Sequence, residues 1–176
     1  MKSNRTAKLA LAGVLTAVAV VGSVISFPLF GSKCAPVQHL VNVICAILLG
    51  PGYGVAVAFC ASLLRNLLGL GSLMAFPGSM CGALVCGLVY KYTRHILPTL
   101  AGEVIGTGII GGTLAYPVAT LLMGVDAATI GTFVYVVPFL ISTCVGSILA
   151  GILTYTLKGT GTLQKMQHTL GQETAK

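Results

Sequence analysis

Acidic residues are nearly missing from this sequence: three Asp and Glu in 176 residues, against ten Lys and Arg. Tryptophan is absent, and charged residues of all kinds make up 7% of the chain. A soluble domain carries roughly 25% charged residues, because its surface faces water. So few charges cannot cover such a surface, which excludes an ordinary water-soluble domain. Other absences exclude chemistries. No P-loop, G-x-S-x-G or H-E-x-x-H pattern occurs, and none of the six cysteines forms a C-x-x-C pair. Cys34, Cys45, Cys60, Cys81, Cys86 and Cys144 are scattered through apolar runs and read as small buried hydrophobes. No cofactor or metal is expected. The net charge of +7 comes with no basic patch interleaved with aromatics, so nucleic acid is not an expected partner.

What is present is apolar. Hydrophobic residues make up 56% of the chain, and the mean hydropathy is +0.97. Lipid is the solvent such a composition fits. At about 20 residues per crossing, the length admits five to seven spans. The basic start and the apolar run over residues 7–30 look like a signal peptide. The run is too long for an h-region and lacks a clear cleavage site, so it reads as a retained first helix.

The sequence predicts an all-α membrane protein with six transmembrane helices: residues 7 to about 29, 37–49, 53–68, from 76–77 to the basic stretch at 91–95, 97–123, and 127–157. Pro138 is expected to kink the last span. Residues 1–158 form the transmembrane domain, and 159–176 a polar cytoplasmic tail with at best a short interfacial helix using Leu163, Met166 and Leu170. The second span is short enough to be re-entrant, and charge decides the matter. Six crossings put Lys2, Arg5, Lys8, Lys91, Arg94, Lys158, Lys165 and Lys176 on one side, with Lys33, Arg65 and Asp126 toward the other. Removing the second span would place Lys91 and Arg94 opposite the basic N-terminus. Both termini are therefore expected in the cytoplasm.

Small residues one turn apart predict close helix contacts at Gly13/Ala17, Gly78/Gly82, Gly102/Gly106, Gly108/Gly112 and Ser147/Gly151. The G-x-G-x-x-G match at Gly106, Gly108 and Gly111 lies inside a span with no strand before it, so it does not indicate a dinucleotide site.

Polar residues within apolar spans carry the functional information. Arg65, with Asn66 beside it, sits deep in the third span, where a cation needs a partner or a wet cavity. An ion pair with Asp126, helix-end carbonyls, or a site-lining role all satisfy that need. Lys33, Gln38, His39 and Asn42 form a second cluster, with Gln38 and Asn42 at i and i+4 on one helical face. Phe76, Pro77, Gly78 and Ser79 form a third. Tyr116 and Tyr135 lie beside the helix breakers Pro117 and Pro138 and are core, interface belt or ligand contacts. Glu103, near the inner end of the fifth span, is expected to pair with Lys91 or Arg94, to carry a proton, or to touch a partner subunit. Three clusters thus converge on the outer half of the bundle, where a capture pocket belongs.

The stretches Gly31-Ser-Lys-Cys-Ala-Pro-Val-Gln-His-Leu-Val-Asn42, Leu49-Gly-Pro51, Ser62-Leu-Leu-Arg-Asn-Leu-Leu-Gly-Leu-Gly71 and Ala75-Phe-Pro-Gly-Ser-Met80 give the chain a resemblance to a known family. Over roughly residues 5–157 it resembles the ThiW family, the thiazole-specific substrate-binding (S) components of energy-coupling-factor (ECF) vitamin transporters. The resemblance implies a six-helix S-component fold in the cell membrane. It implies binding of hydroxyethylthiazole, a thiamine precursor, near the outer face. It also implies docking on a transmembrane coupling subunit and two ATPases, so that this chain is itself no enzyme. S components contact the coupling subunit through Ala-x-x-x-Ala on the first helix. The nearest matches here are Gly13/Ala17 and Ala12/Thr16. Gln38, His39 and Asn42 are then expected to hydrogen-bond the thiazole nitrogen and hydroxyl, with an aromatic ring stacked on the thiazole and the cations serving structure. The alternatives are an S component for another small vitamin or precursor, a stand-alone proton-coupled carrier using Glu103 or Asp126, and an intramembrane enzyme built on a Cys/His or Ser/His pair. The last lacks an orienting acid nearby in sequence.

Overall fold

The computed structural model describes residues 4–29 and 32–172. Lys2, Gly31 and Lys176, which entered the reading above, lie outside them. Among the described residues the regular structure is helical apart from one short hairpin. Helix α1 (Arg5–Gly22) begins at Asn4, whose side chain accepts from the Ala7 N–H. It stops seven residues before the expected end of the first span. Proline lacks an N–H for the helical ladder and drives the preceding residue to extended backbone. Around Pro28 the chain therefore forms β1 (Phe27–Leu29), which pairs antiparallel with β2 (Ser32–Cys34).

Helix α2 (Pro36–Leu48) follows with Pro36 in its first turn, where no N–H is needed. Its 13 residues span only about 20 Å. Eleven of them are buried, because α1, α3, α4, α5, α7 and α8 surround it. A short helix wrapped by its neighbours meets protein rather than lipid, so α2 is the axis of the bundle.

Gly50, with φ of 88°, reverses the chain into α3 (Pro51–Leu67). Helix α4 (Ala75–Thr93) ends on Arg94 in the left-handed region at φ 58°. A continuous rod over Ile96–Leu122 comes next, made of α5 (Ile96–Glu103), a π-helix (Val104–Gly111) and α6 (Gly112–Leu122). The G-x-G-x-x-G match is this π-helix. It packs almost backbone to backbone on α4: a Cβ on Gly111 would lie 2.6 Å from Gly78 Cα, and one on Gly106 would lie 2.9 Å from the Cys81 carbonyl oxygen. Small residues thus set the α4 contact.

Helix α7 (Val136–Gly159) starts nine residues later than the expected last span. Asp126 holds the preceding segment in a turn by accepting from the Ala128 N–H. Pro138 consequently falls in the first turn of α7 and does not kink a span. Beyond Gly161, α8 (Thr162–Thr169) packs against α2 and α7. Leu163 and Gln167 are buried, and the Gln167 amide donates to the Tyr90 hydroxyl at 2.6 Å.

Among the described residues, three helical segments are long and apolar enough to cross a membrane: Arg5–Gly22, Ile96–Leu122 and Val136–Gly159. Their outward faces expose Leu9, Val14 and Val21, then Ile105 and Ile109, then Ile148 and Ile152. Apolar exposure on this scale marks a lipid-facing surface. Cys34, Cys45 and Cys86 are buried as small hydrophobes, whereas Cys60 and Cys144 face outward; all six are free thiols.

Candidate functional site

The hairpin, the α3–α4 connection and the start of α7 gather at one end of the bundle around a cavity. It is narrow, with about 30 Å³ open to the centre of a water-sized sphere. Lys33 and Arg65 line it with cations, Gln38 and His39 with an amide and an imidazole, and Ser72, Ser79 and Ser142 with hydroxyls. Ala35, Ala75, Pro138 and Phe139 complete the wall. A small cleft in which polar groups converge beside an apolar wall is how small-ligand sites are built.

Beneath the cavity lies a hydrogen-bonded network centred on Glu103, which is fully buried. Its Oε1 receives three donors: the Thr107 hydroxyl at 2.8 Å, His39 Nδ1 at 3.0 Å and Asn42 Nδ2 at 3.1 Å. The expected pairing of Glu103 with Lys91 or Arg94 does not form. Lys91 lies over the Tyr92 ring and Arg94 over that of Tyr90. The reason is depth. Glu103 is seven residues, about 10 Å, along α5, and Asn42 is six residues, about 9 Å, along α2 from the opposite end. Across a 20 Å helix the two meet midway.

The network has a fixed direction. With Nδ1 turned to Glu103, His39 presents Nε2 to the Ser142 hydroxyl at 3.1 Å, and Ser142 Oγ accepts from the Ala35 N–H at 3.0 Å. Ser142, His39 and Glu103 thus stand in the order of a hydrolytic triad, and the orienting acid that sequence proximity did not reveal comes from α5. The Ala35 N–H, the backbone donor at Ser142, is spent on the hydroxyl itself, so it is not free to stabilise an oxyanion. As built, the row holds an imidazole in one orientation.

Gly82 on α4 makes room for this network. A Cβ there would overlap Thr107 Oγ1 and lie 2.7 Å from each Glu103 carboxyl oxygen. Gly146 on α7 does the same for α2, since its Cβ would collide with the Pro36 carbonyl oxygen and lie 2.7 Å from His39 Cβ.

Of the residues singled out from sequence, Lys33, Gln38, His39, Arg65 and Ser79 line the cavity. Asn42 does not; it sits one layer below, accepting from Gln38 Nε2 at 3.1 Å and donating to the Ser79 carbonyl oxygen at 3.1 Å. Asn66 is also outside the wall, because its amide closes the α3–α4 connection by donating to the Ser62 and Ser72 carbonyl oxygens. Tyr116 and Tyr135 belong to a separate apolar cluster with Met74, Ala115, Ala119 and Phe139. The aromatic side chain on the cavity wall is that of Phe139. Ser142 and Phe139 escaped the sequence reading because a lone Ser and a lone Phe after Pro138 carry no pattern of their own. Their neighbourhood with the hairpin is tertiary.

The two cations are unlike. Lys33 Nζ donates to the Gly69 carbonyl oxygen at 3.1 Å, just beyond the C-terminus of α3, where a cation complements the helix end. Arg65 is 3% exposed, and its guanidinium has no hydrogen-bond partner among the described residues; its Nε is fully buried. No ion pair joins it to Asp126, whose carboxylate is engaged by its own turn. On α1, Ala12 faces the bundle and receives the Thr16 hydroxyl on its carbonyl oxygen, whereas Gly13 and Ala17 are exposed.

No curated protein matches the sequence. Over residues 9–160, nearly all of the bundle with its hairpin and cavity, the chain matches the family described as thiamine-precursor transporter protein (ThiW). A multi-helical apolar chain with a polar-lined cleft at one end is in keeping with that description, and the chain belongs to the ThiW family of thiamine-precursor transporters.

Proposed function

We propose that this chain is the substrate-binding component of an ECF-type transporter and captures hydroxyethylthiazole at the outer membrane face. In this reading α1, α2, α3, α4, the Ile96–Leu122 rod and α7 are six crossings, with both termini cytoplasmic. The short α2 is tolerated because its neighbours, not lipid, surround it. The observation that carries the reading is the cavity itself. It sets Gln38 and Arg65 as polar partners for a hydroxyl and a ring nitrogen, beside Phe139 as an apolar face for the ring, while both nitrogens of His39 are engaged within the protein. The exposed Gly13 and Ala17 on α1 leave a shallow stripe for the coupling subunit, which together with two ATPases would drive release inward.

Calorimetric titration of the detergent-purified protein tests the ligand. Hydroxyethylthiazole is expected to bind with a Kd between nanomolar and low micromolar, and thiamine much more weakly. A folded sample that binds neither sinks the assignment. Preference for a thiazole carboxylate would redirect it to an anionic precursor held by Arg65.

One observation favours a second reading, a stand-alone proton-coupled carrier: a carboxylate buried at mid-bundle and bonded to an imidazole. Asp126 drops out as its proton carrier, since it sits in an exposed turn. Proteoliposomes holding this chain alone are expected to show no uptake of labelled hydroxyethylthiazole under a pH gradient. Sustained gradient-driven uptake would favour the carrier.

A further inference from the structure

Two cavity-lining side chains each carry a buried polar atom with no partner among the described residues: Gln38 Oε1 and Arg65 Nε. One can only accept and the other can only donate. Leaving either unsatisfied is costly, so each is a demand placed on the ligand.

The orientation of the Gln38 amide follows from the network beneath it. Glu103 Oε1 collects donors, so Asn42 turns its NH₂ toward Glu103, and the Ser79 carbonyl oxygen takes the second N–H of the same group. Both acceptors lie on that side, which leaves Asn42 Oδ1 facing Gln38. Against an oxygen, Gln38 must offer its own NH₂, and Nε2 donates to Asn42 Oδ1 at 3.1 Å. Its Oε1 is thereby left without a protein donor. Rotating the Gln38 amide would set two oxygens against each other, and rotating Asn42 would do the same twice over.

We infer that Glu103 and Asn42 are positioning residues that make Gln38 Oε1 an obligatory hydrogen-bond acceptor, so that the pocket selects the ligand for a hydroxyl that donates. The inference rests on the thiazole reading of the pocket. In that setting the ligand hydroxyl donates to Gln38 Oε1, and a ligand acceptor takes the Arg65 N–H. A thiazole lacking the donor leaves Oε1 buried and unpaired.

The test compares hydroxyethylthiazole with 5-(2-chloroethyl)-4-methylthiazole, in which chlorine replaces the hydroxyl at similar size and cannot donate. Calorimetry on the wild-type protein is expected to favour the alcohol by about 10- to 100-fold, the usual scale for an unpaired buried acceptor. In Gln38→Leu the ratio of the two affinities is expected to fall toward one. In Asn42→Leu it is expected to fall as well, although Gln38 is still present, because its amide is free to turn. A purely structural role would weaken both ligands together and leave the ratio unchanged. A wild-type ratio below about tenfold overturns the inference while leaving the thiazole reading intact, as does a ratio that survives Gln38→Leu. Binding of neither thiazole by a folded sample overturns both.

Discussion

Glu103→Ala is expected to lower the stability of the bundle by about 3–5 kcal/mol, since each buried donor left without its acceptor costs about 1–3 kcal/mol. Three donors lose their common acceptor at once: His39 Nδ1, Asn42 Nδ2 and the Thr107 hydroxyl. None is exposed, so water cannot replace the carboxylate without entering the core. Ligand binding should be lost with it, since His39 and Gln38 take their orientation from this oxygen. Glu103→Gln keeps an amide oxygen where Oε1 stands and should cost much less. Thermal unfolding of the detergent-solubilised variants checks this, with a drop of several degrees or more expected for the alanine variant and a smaller one for glutamine. Equal unfolding temperatures for wild type and Glu103→Ala would mean that the network does not hold the helices.

Arg65→Met is expected to act in the opposite sense on stability. The guanidinium is buried, lines the cavity and has no partner among the described residues, so the folded protein gains little from it and carries its desolvation cost. Methionine keeps most of the stem volume without the charge. Its unfolding temperature should equal or exceed that of wild type, while affinity for hydroxyethylthiazole falls about 10- to 100-fold through the lost donor. Calorimetry and thermal unfolding on the same preparation separate the two roles. Lower stability with unchanged affinity would show Arg65 to be structural. The residue would then be one that the fold needs and the ligand does not.

Several features were legible in the residues alone because they depend on local physics. The charge deficit fixes lipid as the solvent, Pro36 marks the start of α2, and Gly50 and Pro51 punctuate the chain between α2 and α3. The i, i+4 spacing of Gln38 and Asn42 put them on one helical face, but the expected ligand contacts of Asn42 give way to a bond between the two. Small-residue spacing likewise anticipated the contact of α4 with the rod at Gly82, Gly102 and Gly106, whereas the approach of Gly111 to Gly78 was outside the expected pairs. The boundaries that moved are those where hydropathy stayed high while the backbone changed. Apolar residues 23–29 suit a span as well as a hairpin, and only the pairing across β1 and β2 distinguishes them.

Composition and spacing by themselves determined that this is a helical membrane protein, and which of its polar residues are too costly to lie in lipid without a purpose. Only the tertiary structure decided which of those residues meet. It joined Glu103 to His39 and Asn42, added Ser142 and Phe139 to the pocket, and moved Asn42, Asn66, Tyr116 and Tyr135 off its wall. The reason is geometric: a helix records in sequence which residues share its face, but not the depth at which a neighbour crosses it. That depth is set by the length of α2 and by the glycines that let α4 and the rod close on it.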